Sequence, residues 1–127
     1  RPRALNQEDF VAAVESALRD YTRPDVLHGN PLLRSHLVMQ HADYAAGGAV
    51  GVLRALLKQA AEQMRSAPKE LKLYRAVYHT YIQPAPTQEQ AAELIDVPFS
   101  SYRRHLRTGM TRIAEILWRA EVERMEQ

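Results

Sequence analysis

Apolar residues recur every three to four positions along most of this chain, and they alternate nowhere over a length that would make a strand. Asn6 or Gln7 can open a helix through Asp20 that turns Phe10, Val11, Val14, Ala17 and Leu18 to one side. Arg23-Pro24 breaks it. Asn30 can cap a second helix starting at Pro31, with Leu32, Leu33, His36, Leu37 and Gln40 at helical spacing. The Ala/Gly-rich run 44–51 reads as a loop or a helix start. Residues 52–64 make an amphipathic helix with Val52, Leu53, Leu56, Leu57, Ala60 and Met64 inward, and Ala67-Pro68 ends it. Residues 69–81 make another, clustering Leu71, Tyr74, Val77, Tyr78 and Tyr81. The pattern predicts an all-α fold.

The most specific stretch is 87–106. Pro84 and Pro86 stop any helix arriving from the left. Thr87 with Gln90 forms a capping-box pattern that starts a short helix at Gln88. Ala92 is small enough for a second helix to cross closely. Ile95, Asp96 and Val97 then supply an apolar anchor, a residue that tolerates the left-handed backbone, and a second anchor. Pro98 suits the first position of the next helix. Tyr102 and Leu106 point inward at i, i+4, leaving Ser100, Arg103, Arg104 and Arg107 outward. Gly109 is a weak point, after which Met110, Ile113, Ile116, Leu117 and Ala120 keep helical spacing to about Met125. These features read as a C-terminal helix-turn-helix followed by a long final helix. The organisation expected is a helical subdomain over 1–83 packed as one domain with 84–127.

The phrase Ala91-Ala92-Glu93-Leu94-Ile95-Asp96-Val97, followed by Tyr-Arg-Arg-His-Leu-Arg and a long apolar-striped helix, resembles the helix-turn-helix of bacterial sigma-factor region four and related response-regulator effector domains. The longer stretch from Leu73-Tyr74-Arg75-Ala76 through Thr80-Tyr81 and Pro84-Ala85-Pro86-Thr87-Gln88 to Pro98-Phe99-Ser100-Ser101-Tyr102 is similar to C-terminal segments of large bacterial ATP-binding regulators. Sigma-type members usually carry Gly where Asp96 sits and Ser or Thr where Pro98 sits. The resemblance covers roughly the last half of the chain. It implies a DNA-binding module of a bacterial transcriptional regulator.

Composition narrows the chemistry. At 127 residues, 46% hydrophobic and 25% charged, the chain has the makeup of an ordinary globular domain. It has no cysteine, hence no disulfide, thiolate metal site or thiol nucleophile. No run of 18 apolar residues suggests a membrane span, so a cytoplasmic location is expected. A chain opening on Arg1 rather than Met reads as a piece of a larger polypeptide. His28, His36, His41, His79 and His105 show no metal-ligand spacing. The Gly47–Gly51 run lacks the Gly-Lys-Ser/Thr of a phosphate loop. Acids such as Glu8-Asp9 and Glu121 with Glu123 read as scattered surface groups, and Trp118 as facing the N-terminal helices or a partner. No enzyme, metal or cofactor is expected.

The net charge of +2 is small, but its distribution is uneven. Between positions 103 and 112 stand Arg103, Arg104, Arg107 and Arg112 without an acid. The expected function is duplex DNA binding, with a recognition helix over 98–108 in the major groove. Arg103 or Arg104 would read guanine edges, while Ser100, Arg107, Thr108 and Thr111, with Thr87 and Gln88, would hold phosphates. The alternative is a helical protein-interaction module whose arginines meet an acidic partner.

Overall fold

The computed structural model describes residues 4–41 and 47–127, and every regular element among them is helical. In chain order these are α1 (Gln7–Arg19), α2 (Pro24–Leu27), a 3-10 turn (Pro31–Arg34), α3 (His36–Met39) and α4 (Gly48–Arg65). There follow α5 (Leu71–Val77), a π-helical turn (Tyr78–Ile82), α6 (Gln88–Leu94) and α7 (Phe99–Met125). Of the run 44–51, residues 44–46 lie outside those described. Gly47, at φ 84°, takes a left-handed backbone that glycine adopts without strain, and α4 starts immediately after it.

Helix α7 organises the rest, packing against α1, α3, α4, α5 and α6. Its inward stripe is Tyr102, Leu106, Gly109, Met110, Ile113, Ala114, Leu117 and Glu121. Tyr102, Leu106 and Ile113 are buried in one core with Ala92, Ile95 and Leu117, as their spacing predicts. That core runs without interruption across position 84. Trp118 packs edge-on against Phe10 of α1, with ring centroids 5.2 Å apart, so it serves the N-terminal helices.

Three local readings need correction. The helix expected from Pro31 is split at Ser35. The Ser35 hydroxyl donates to the Leu32 carbonyl at 2.6 Å and accepts the Val38 N–H at 3.3 Å, ending one turn and capping the next. On α5 the inward residues are Leu73, Ala76 and Val77, while Leu71 is exposed. The helix lies between α4 and α7, which selects that stripe over the one beginning at Leu71. Glu121 is no surface acid: it is 1% exposed. Its carboxylate accepts the His36 and Leu37 N–H groups, each at 3.0 Å, and lies 3.0 Å from His36 Nδ1. The free N–H groups of the short helix α3 are thereby satisfied from 85 residues away.

Gly109 does not interrupt α7, which is continuous over 27 residues. A Cβ at this position would meet Val77 Cγ2 at 2.8 Å and the Leu73 carbonyl oxygen at 3.1 Å. The missing side chain is what lets α5 cross so closely. Gly109→Ala should therefore destabilise the protein by about 1–3 kcal/mol, overpacking outweighing the ordinary helical gain of alanine. Urea melts check this, and a more stable variant would show that α5 and α7 separate at little cost.

Candidate functional site

Helix α6 begins where the sequence places it, with Thr87 Oγ1 accepting the Gln90 N–H at 3.1 Å. It ends at Leu94, and the chain turns through Ile95, Asp96, Val97 and Pro98 into α7. Asp96 is the only described non-glycine residue at positive φ, 58°. That conformation suits Asp better than a β-branched residue, and it brings Val97 N–H onto the Ala92 carbonyl at 3.3 Å. Arg75 of α5 donates to the Leu94 carbonyl at 3.1 Å and ties the end of α6 to the bundle.

Ser100, Arg103, Arg104, Arg107, Thr108 and Thr111 are all exposed along α7, and Thr87 and Gln88 are exposed at the start of α6. At about 100° per residue the six α7 positions fall within a sector of about 140°, facing away from Tyr102 and Ile113. Tyr102 holds this face in place. It is 0% exposed, and its hydroxyl shares a 2.5 Å hydrogen bond with Thr80 Oγ1 of the π turn. Phe99, partly exposed, lies against Tyr102 and under the Arg103 guanidinium at 5.9 Å.

Arg112 leaves the group that the charge pattern suggests. It pairs with Glu70, which precedes α5, at 2.8 Å and Glu115 at 3.7 Å, so the unpaired arginine face stops at Arg107. Two cations that the sequence does not single out join instead. Lys72 of α5 comes close enough to His105 for its field to act there, as does that of Arg104. Arg19 of α1 reaches the α7 groove beside Tyr81. Their separation along the chain leaves no local signal of either meeting.

His105 is half-buried, and burial first, then Lys72 and Arg104, hold its pKa below the usual histidine value. His79 is lowered likewise by burial and by Arg75. In such cases the unfolded chain takes up protons that the folded state refuses. The associated stability is present above the ordinary histidine pKa and is lost as pH falls below it. Between pH 7.5 and 5.5 the wild type should lose stability relative to His105→Gln in paired urea melts. An unchanged difference would place His105 in open solvent.

Two adjoining grooves meet beside α1, one between the π turn and the start of α6 and the other between α1 and α7. One, of about 220 Å³, is lined by residues including Thr80, Thr87 and Tyr102. The other, of about 360 Å³, includes Glu15, Arg103 and Arg107. Arg19, Tyr81 and Gln88 line both. Among the described residues, no cluster of three or more His, Cys, Asp or Glu side chains is placed to hold a metal ion. No helix there is long and apolar enough to cross a membrane. No protein-family model matches the chain, and neither a curated protein nor a solved structure matches it.

Proposed function

We propose that α6, the Asp96 turn and the first turns of α7 act as a helix-turn-helix, the DNA-binding module of a larger bacterial transcriptional regulator. The observation that carries the reading is the acid-free exposed face of Ser100, Arg103, Arg104 and Arg107 immediately after a tight, left-handed turn. The resemblance to sigma-factor region four and response-regulator effector modules supports the same reading. In it, residues 98–108 enter the major groove. Ser100, Arg107, Thr108 and Thr111 fix the register on phosphates, with Thr87 and Gln88 meeting the backbone beside them. Lys72 adds charge at the edge of the face.

Arg104 is the base reader in this arrangement. It lies about 200° around α7 from Tyr102, nearly opposite the core. Arg103, drawn over Phe99 toward the groove side, contacts phosphate. Arg104→Ala should then cost about 1–3 kcal/mol on the preferred sequence and relax selectivity at one position. Arg103→Ala should weaken all duplexes alike and reduce the salt slope by about 1. Fluorescence anisotropy on selected and scrambled duplexes across a salt series measures both. If neither variant changes duplex affinity, this helix does not bind DNA.

A second reading has its own observation. Leu94 is 55% exposed and Phe99 37%, flanking the same turn. Two apolar side chains beside arginines suit an acidic helical protein partner. Such a module would show no counterion-release slope on duplex DNA.

A further inference from the structure

The grooves beside α7 bring together three guanidiniums from two helices that are remote in sequence: Arg19 from α1, Arg103 and Arg107 from α7. Among the described residues none of the three lies in an ion pair, whereas Arg23, Arg65 and Arg112 all do. Glu15 is the single acid on the lining of either groove. Like charges gathered into one concavity repel, and an anion seated among them relieves that repulsion. A guanidinium fork matches the paired oxygens of a phosphoryl group better than it matches a spherical halide. Small-molecule sites commonly span roughly 300–1,000 Å³, and the two adjoining grooves are of that order. Tyr81 lines both grooves, and Glu15, on the lining of one, offers an acceptor for a hydroxyl group.

We infer that the groove between α1 and α7 binds a small phosphate-bearing molecule, its phosphoryl group held by Arg19, Arg103 and Arg107 and a hydroxyl of its remainder by Glu15. The inference stands apart from the DNA reading. Where both hold, the ligand and a duplex compete for Arg103 and Arg107, which makes the groove a control point.

The probes are inorganic pyrophosphate and ribose 5-phosphate, titrated into the ¹⁵N-labelled chain and followed by amide and arginine side-chain NMR. Saturable shifts should gather at the end of α1, at Tyr81 and along the first turns of α7. Arg19→Ala should weaken binding about tenfold through loss of one charged fork, and Arg19→Lys less. Glu15→Gln should weaken ribose 5-phosphate while sparing pyrophosphate. Arg65→Ala, on α4, should change neither. Shifts that rise without saturation, or an equal loss in Arg65→Ala, would reduce the groove to general charge screening and overturn the assignment. So would Arg19→Ala weakening a DNA duplex but neither probe, since the groove would then seat nucleic-acid backbone. Arg104→Ala separates the two readings, because it should impair duplex binding alone.

Discussion

Glu121→Ala is expected to destabilise the fold by about 3 kcal/mol, because it strips buried, charge-assisted hydrogen bonds from the first turn of α3. The carboxylate takes two backbone N–H groups and faces the His36 ring, all at 3.0 Å. Alanine would leave those donors without a partner and open space beside the core. Glu121→Gln keeps one acceptor oxygen but turns an NH₂ group toward other donors, so it should fall between the two. The expected consequence is local: α3 loosens from the C-terminal half of α7, while the Arg104 end stays folded. Urea melts give the magnitude, and hydrogen exchange at His36, Leu37 and Val38 gives the location. A loss below about 0.5 kcal/mol would mean that water replaces the carboxylate at no cost, and that the pin is ornamental.

Tyr102→Ala should cost about 3–5 kcal/mol, the range for deleting a large buried aromatic ring. The ring is fully buried where α7 begins, and its hydroxyl meets Thr80. Tyr102→Phe retains the packing and loses only the hydrogen bond, at about 1 kcal/mol. The pair separates two roles. Packing sets stability, while the hydroxyl ties the start of α7 to the π turn and so orients Arg103 and Arg104. Thermal melts of the two variants should differ by several degrees, and duplex affinity of the Phe variant should fall less than that of Arg104→Ala. Equal stability of the Ala and Phe variants would remove Tyr102 from the core.

These two side chains act at opposite ends of one helix, and together they explain how a long α7 carries an exposed arginine face. Tyr102 seats its first turn on the π segment, Gly109 lets α5 cross close to its middle, and Glu121 pins its last turns to α3. The remaining exposure of Ser100, Arg103, Arg104 and Arg107 is what that packing leaves over.

Much of this was legible along the chain because it depends on neighbours three or four residues apart. The Thr87 cap, the start of α6, the left-handed Asp96 and the Tyr102–Leu106 stripe are all local, set by backbone sterics and helical periodicity. The all-helical class follows from the same periodicity. Other features turn on contacts that no window of sequence contains. Glu121 stands on the inward stripe four residues after Leu117, but its side chain is that of a surface acid, and only the arrival of α3 gives it the donors that make it a buried cap. Gly109 has the propensity of a break, and only the crossing of α5 makes its missing Cβ useful. Arg112 looks equal to Arg107 until Glu70 claims it, and Arg19 belongs to another helix altogether. Charge and burial are properties of the space around a side chain. The sequence by itself determined that the chain is helical, where α6 starts and which way the chain turns at Asp96, because those choices are made within a few bonds. The tertiary structure alone decided which acids and arginines remain free, because that depends on what packing brings alongside them.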